Sequence, residues 1–507
     1  MAKLLLATLY DKSALGPRYL SSFLKEAGHD VELVWIKEYE NLRADEVDPD
    51  EELIEELNVG LTSRGPAYYC YPRPISDVEI KIFLDLIEER SPDLLGFSVT
   101  SMFRRTAEML TARVRENLPR LPIIWGGICP TIEREECIAH ADMICVGEGE
   151  YAVLDLLNAI DGNADPRTVK NLWVRMNGEV TRNELYPLEQ DLDRFPFPDV
   201  DRKGKFRIAR NALVRNDPGV SNYGNTYDVI TARGCPYHCT FCCESILHEM
   251  YRGQRFLRRR SVDNVIEELR RAKEQFHPYR INVWDEIFSL GEKWIAEFAP
   301  VYRREVGIPY WCYVHPILSD TELLRMLKES GVLEVRMGVQ SGSERVNRDV
   351  YRRPTRNEDV LQACRRLKEA GIKYSIDLIT RNPFETEDDR RETLDLLLSL
   401  PRPLDIGDDT LSILSFFPYF ELTRRLHDEG ISPRIDEPTY VFYDTLYLLA
   451  QYRSPKFVRK LSHSDFFRRH PSLLRYFLPG SRPVRWGKKA IPARLREVVK
   501  RLAAGSA

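Results

Sequence analysis

Twice along this 507-residue chain, short apolar runs alternate with amphipathic stretches of helical length, the pattern of parallel strands joined by crossover helices. In the first stretch, residues 3–160, the strands are expected at Leu4–Leu9, Val31–Ile36, Leu94–Thr100, Ile123–Trp125 and Met143–Val146. Helical patterns over Pro17–Ala27, Ile80–Glu89 and Arg104–Leu118 lie between them, so one open, doubly wound, Rossmann-like α/β sheet is predicted. Residues 37–76 are too long for an ordinary connection and predict an insertion or lid. In the second stretch, strands are expected at Asp228–Ala232, Ile281–Trp284, Tyr310–Val314, Leu333–Val339, Ser375–Ile379 and Leu411–Phe416. Helices are expected there at Val262–Phe276, Asp320–Ser330, Asn357–Ala370 and Glu387–Leu400. Such βα units without a returning strand predict a partial (β/α)6 TIM barrel whose site sits at the C-terminal strand ends. The expected organisation is a first domain over 1–160, an Asn-, Asp- and Pro-enriched linker over 161–226, a second domain over 227–420 and a basic helical extension over 421–507.

Ligands of an open parallel sheet lie beyond the carboxyl ends of its strands, so the residues leaving each strand are the candidates. They are Asp11-Lys-Ser13-Ala-Leu-Gly16, Ser98-Val-Thr100, Gly126-Gly127 and Gly147-Glu148-Gly149-Glu150. Small, hydroxylated and glycine residues leave room for a large ligand lying against backbone. No GxGxxG follows the first strand, which weighs against a dinucleotide. A Rossmann-like domain that binds a nucleotide, or nothing, is the alternative.

Directly after the first strand of the second stretch runs Gly234-Cys235-Pro-Tyr-His-Cys239-Thr-Phe241-Cys242, a CxxxCxxC pattern. Three thiolates within eight residues can converge on a cubane iron–sulfur cluster and leave its fourth iron without a protein ligand. A structural zinc ion would require a fourth ligand, and Cys243 or His238 would have to supply it.

This loop, with an aromatic residue before its third cysteine, resembles the hallmark of the radical S-adenosylmethionine (SAM) superfamily. The resemblance implies that Cys235, Cys239 and Cys242 hold a 4Fe-4S cluster, with Phe241 beside it, and that SAM chelates the open iron. It implies too that one electron from a flavodoxin or ferredoxin cleaves SAM to methionine and a 5′-deoxyadenosyl radical. Trp284-Asp285-Glu286 looks like the family's acidic segment that meets the methionine amino group, and Gln340-Ser341 lies in a turn that resembles its GxESGS-like motif. Asp377 matches the region that meets the SAM ribose or carboxylate. Each of these is otherwise a strand-end polar residue capping a helix.

The strand exits of the first domain resemble the cobalamin-binding fold that precedes the radical SAM core in the cobalamin-dependent subfamily. Asp11, Ser13 and Gly16 stand in its DxHxxG pattern, Ser98 and Thr100 in its second turn, Gly126 and Gly127 in its GG, and Gly147 and Glu148 in a further recurring turn. Ser13 replaces the ligating His, implying a base-off corrinoid with no His ligand from the protein. The resemblance covers roughly residues 1–420 and implies methylation of an unactivated carbon through methylcobalamin, with a second SAM cleaved to the radical. A radical SAM cyclase or rearrangement enzyme, and a non-catalytic iron–sulfur and corrinoid-binding protein, carry the same motifs.

Composition bounds the setting. With 43% hydrophobic and 30% charged residues the chain is of the soluble globular class. Ten cysteines, four of them between Cys235 and Cys243, are too sparse for a disulfide scaffold and predict a reducing, cytoplasmic compartment. The formal charge of −4 conceals a division, since residues 453–507 carry 15 Lys and Arg against 2 Asp and Glu. This basic, aromatic-rich tail predicts a helical cap pairing with the acidic body or a peripheral contact with an anionic membrane, with nucleic acid the disfavoured partner. The expected substrate is a small molecule, or a lipid if the membrane contact holds.

Overall fold

The computed structural model describes residues 1–38, 40–43, 68–71, 73–217, 224–404, 411–432 and 438–478. The first βα array builds a sheet from β1 (Lys3–Leu9), β2 (Asp30–Ile36), β3 (Leu94–Ser98), β4 (Ile123–Gly126) and β5 (Met143–Cys145). Helices α1 (Leu15–Glu26), α2 (Asp77–Arg90), α3 (Arg104–Asn117) and α4 (Glu150–Asp161) provide its crossovers and its exit. Five parallel strands lie in the order β2-β1-β3-β4-β5, so the chain reverses direction across the sheet between β1 and β3. These strands are buried on both faces, which is why they read as apolar runs rather than alternations.

The sheet is wider than expected. Residues 161–226, expected as a linker, supply four more strands: β6 (Leu172–Met176) and β7 (Glu179–Arg182) beyond β5, and β8 (Lys205–Ala209) and β9 (Ala212–Arg215) beyond β2. Asn177 and Gly178 join β6 to β7 with φ of 54° and 82°, the turn an Asn-Gly pair favours because both positions need the left-handed region. Of the insertion expected over 37–76, Glu40–Arg43 and Tyr68–Tyr71 pair antiparallel, and most of the rest lies outside the described residues.

The second array forms a six-stranded parallel sheet in strict chain order: β10 (Thr226–Val229), β11 (Arg280–Val283), β12 (Tyr310–Val314), β13 (Val332–Gln340), β14 (Lys373–Thr380) and β15 (Leu411–Ile413). Sequential parallel order with a helix after each strand is the topology of a partial barrel. Its helices are α5 (Cys243–Met250), α6 (Val262–Phe276), α7 (Glu292–Glu305), α8 (Thr321–Ser330), α9 (Asn357–Glu369) and α10 (Glu387–Ser399). Helix α7 was not among the expected elements. Pro300 within it reads as a breaker, yet Ile295, Phe298, Ala299 and Tyr302 bury one helical stripe.

Past α11 (Glu421–Asp428), helix α12 (Pro438–Tyr452) lies in the same apolar core as the half-barrel, with Phe442, Leu446 and Leu449 fully buried. The Tyr447 hydroxyl donates to the Arg390 carbonyl at 2.9 Å, and Arg381 pairs with Asp444 at 3.2 Å. The described part of the extension is therefore a cap sealed to the core. Residues 479–507, with much of the basic tail and any membrane contact it makes, lie outside the described residues.

Candidate cofactor cavity between the two sheets

The strand exits of the two sheets line one cavity of about 370 Å³. The first sheet contributes Gly16, Ser98, Gly126, Gly127, Gly147 and Glu148; the second contributes Arg233, Gly234, Trp284 and Glu286 from the exits of β10 and β11. From the strand ends the lining continues past Leu4 and Leu6 of β1, Gly96 of β3, Ile124 of β4, Leu20 of α1 and Val153 of α4. An apolar slot therefore runs beside the sheet, bordered by helices, at the point where strand order reverses, the position at which such sheets bind ligands. Gly127 is required by the backbone: at φ +98° its missing Cβ would stand 2.9 Å from the Val99 carbonyl oxygen.

The three cysteines lie on one loop, residues 234–242, that ends where α5 begins; Gly234 at its start and Glu244 in the first turn of α5 reach the cavity, whereas none of the three cysteines lines it. Cys239 is buried, and Cys235 and Cys242 are half-buried free thiols. Gly234 turns the chain into the loop at φ +93°, where a Cβ would sit 2.7 Å from the Phe256 carbonyl oxygen. Among the described residues, no three His, Cys, Asp or Glu side chains are gathered closely enough to hold one metal ion. A cubane bonds each thiolate to a different iron, so its ligands stand further apart, and three free thiols on one loop suit it.

Asp285 and Glu286 diverge. Asp285 is turned away from the cavity and buried, its carboxylate accepting the N–H of Thr231 at 2.6 Å and of Ala232 at 3.1 Å, with Arg259 at 3.2 Å. It anchors the strand from which the cysteine loop departs, while Glu286 lines the cavity. Burial, and secondarily Glu244, pushes Glu286 up to about 8, a carboxyl poised to gain from a cation beside it. Consecutive residues leaving a strand point to opposite sides, which accounts for the split.

The remaining candidates fall into two groups. Ser341 is buried, donating to Glu385 at 3.1 Å and accepting the Ser343 N–H at 3.2 Å, and Gln340 before it holds φ +69° at a shift in the β13–β14 register. Asp377 pairs with Arg336 at 2.9 Å, and Phe241 packs edge-on against Tyr351 at 4.9 Å. None of these four lines the cavity, nor do Asp11, Ser13 or Thr100. The Asp11 carboxylate instead accepts the Ser13 N–H at 3.0 Å and shapes the turn into α1.

Glu148 is bound across the interface. Arg258, 2% exposed, grips it with two hydrogen bonds of 3.0 and 2.6 Å, and Arg233 joins Glu150 at 2.7 Å. These cations hold the Glu148 carboxyl below the usual range despite burial that opposes ionisation. In the sequence Arg258 stands in an Arg258-Arg259-Arg260 run, a pattern common on solvated faces, so its burial is visible only in the structure.

The family model for the radical SAM superfamily matches residues 229–397, and that for the B12 binding domain matches residues 75–157. An uncharacterized methyltransferase of Pyrococcus horikoshii is 24% identical over 348 residues, 68% of this chain and 71% of that protein. The cytidylyl-2-hydroxyethylphosphonate methyltransferase of Streptomyces wedmorensis is 24% identical over 71% of this chain and 67% of its own length. The anaerobic magnesium-protoporphyrin IX monomethyl ester cyclase of Rubrivivax gelatinosus is 25% identical over 67% of this chain, which spans 59% of that protein. Among solved structures, the cobalamin-dependent SAM radical enzyme OxsB superposes over 94% of this chain and 72% of its own with TM-score 0.63 at 18% identity. The radical SAM methyltransferase TsrM from Kitasatospora setae does so over 84% of this chain and 76% of its own, with TM-score 0.61 at 17% identity. Cavity, cysteine loop and domain order agree with these matches: a B12 binding domain matched over residues 75–157 precedes a radical SAM domain matched over residues 229–397, in the fold shared with OxsB and TsrM.

Proposed function

We propose that this protein is a cobalamin-dependent radical SAM methyltransferase acting on an unactivated carbon of a small molecule. The observation that carries the reading is the cavity reached at once by the turns of the B12-type sheet and by Gly234 and Glu244, the residues flanking the cysteine loop. When bound, the 4Fe-4S cluster supplies the electron that cleaves SAM and the corrinoid supplies the methyl group. Cys235, Cys239 and Cys242 hold the cluster, and Asp285 fixes the strand end that carries their loop. Glu286 takes the SAM ammonium at the cavity wall, while Gln340, Ser341 and Asp377 support the SAM side of the half-barrel from behind. Gly16, Ser98, Gly126, Gly127 and Gly147 let the corrinoid lie against backbone, and the slot past Leu6 and Ile124 takes its aromatic base. Among the described residues of this lining, none offers an imidazole to cobalt. The electron comes from a small one-electron donor of the flavodoxin or ferredoxin class.

Ring formation without methyl transfer is the second reading, favoured by the similarity to the Rubrivivax gelatinosus cyclase. Anaerobic loading with iron, sulfide, hydroxocobalamin and SAM separates the two. Retention of cluster and base-off corrinoid with formation of S-adenosylhomocysteine supports methyl transfer. Retention of both cofactors without S-adenosylhomocysteine favours the second reading, and failure to retain corrinoid removes the cobalamin part.

A further inference from the structure

Beyond the motif that ends at Ser343, the chain makes one helical turn, Val346–Val350, and returns to the cysteine loop. Thr240 binds this returning segment twice, its N–H donating to Tyr351 O at 3.2 Å and its hydroxyl to Val350 O at 2.6 Å. The Arg353 N–H donates to Asn347 O at 2.7 Å, and buried Asn347 in turn donates to Ser341 O at 2.7 Å. So anchored, the Arg353 guanidinium donates to Gly338 O at 2.8 Å and to Cys239 Sγ at 3.7 Å.

The arginines around it are otherwise occupied. Arg345 pairs with Asp389, Arg348 with Asp349, Arg352 with Glu421 and Arg356 with Asp359. Among the described residues, no carboxylate pairs with Arg353, and its buried Nε has no partner. An uncompensated positive charge is therefore held, by backbone on both sides, against one of the cluster cysteines. We infer that Arg353 is a positioning residue that sets the reduction potential of the cluster, an inference that rests on the cluster reading above. Taking up an electron adds negative charge to a centre already made anionic by its thiolates. A fixed cation and a hydrogen bond at a ligand sulfur favour the reduced state. Arg353 raises the potential and eases electron uptake from the donor.

The test is a redox titration of the full-length chain loaded with iron and sulfide, without SAM, with dithionite as reductant and the signal of the reduced cluster followed by electron paramagnetic resonance. Arg353→Met and Arg353→Gln are expected to disfavour reduction about tenfold, a midpoint about 59 mV more negative for one electron. Arg353→Lys, which keeps the charge, is expected to stay close to the unsubstituted chain. An unchanged midpoint in both neutral variants at full iron content overturns the inference. So does loss of iron from both neutral variants with retention in Arg353→Lys, since Arg353 would then serve to retain the cluster. An unsubstituted chain that holds no cluster strikes instead at the reading on which the inference rests.

Discussion

Arg258 and Glu148 are where the two sheets are fastened. Arg258 is withdrawn from water, whereas Glu148 is 26% exposed and keeps Arg233 at 3.4 Å, so removing Arg258 is expected to cost less than the about 3–5 kcal/mol of breaking a fully buried pair. Arg258→Met is expected to lower the urea midpoint accordingly and to weaken corrinoid retention, because the Gly147-Glu148 turn loses its tether; equal stability and retention would place the fastening elsewhere. Cys239→Ala is expected to lose the bound iron and all SAM cleavage while keeping the fold, read by iron content and circular dichroism. At this scale the cysteine loop was legible in the sequence, because three thiols at close spacing admit few uses. The arginine run was not, since only long-range pairing shows that Arg258 and Arg260 are buried. Asp285 and Glu286 were legible as an acidic pair, but which of them faces the cavity depends on the exit angle of β11.

Among elements, α12 decides whether the half-barrel is closed. Leu446 is fully buried in the barrel core, so Leu446→Ala is expected to cost about 2–5 kcal/mol, measured by urea unfolding; an effect under about 1 kcal/mol would mean that the cap contributes little. Beneath α12, burial pushes Glu385 up to about 8, with Arg390 opposing the shift. An unfolded glutamate titrates near about 4.3, so between these values the folded chain holds a proton that the unfolded chain lacks. The stability tied to this group is therefore complete below about pH 4.3 and lost as pH rises towards 8, at up to about 1.4 kcal/mol per pH unit. Glu385→Gln is expected to flatten that slope in unfolding measured across the window, and an unchanged slope would assign the titration elsewhere. The strands of both arrays and most helices were legible from apolar period. The β6–β7 hairpin was missed although Asn177-Gly178 announces it, because its strands are short and half-exposed, and α7 was missed because a proline interrupts a stripe that tertiary packing still buries.

In the whole molecule, two unrelated sheet topologies place their strand ends around one cavity, and the chemistry proposed depends on that meeting. The charge division becomes clearer as well: the extension begins as a cap sealed to the core on one side, while Lys456, Lys460 and Arg469 stay exposed on the other. No described helix is long and apolar enough to cross a membrane. Legibility was greatest for domain order and least for the interface, whose contacts join residues as distant as Glu148 and Arg258. The central claim is that this cavity cleaves SAM by one-electron chemistry. Its most direct test is detection of 5′-deoxyadenosine by mass spectrometry from the anaerobically loaded, reduced full-length chain. The account predicts 5′-deoxyadenosine that depends on reductant and disappears in Cys239→Ala; a fully loaded, reduced chain that forms none would contradict it.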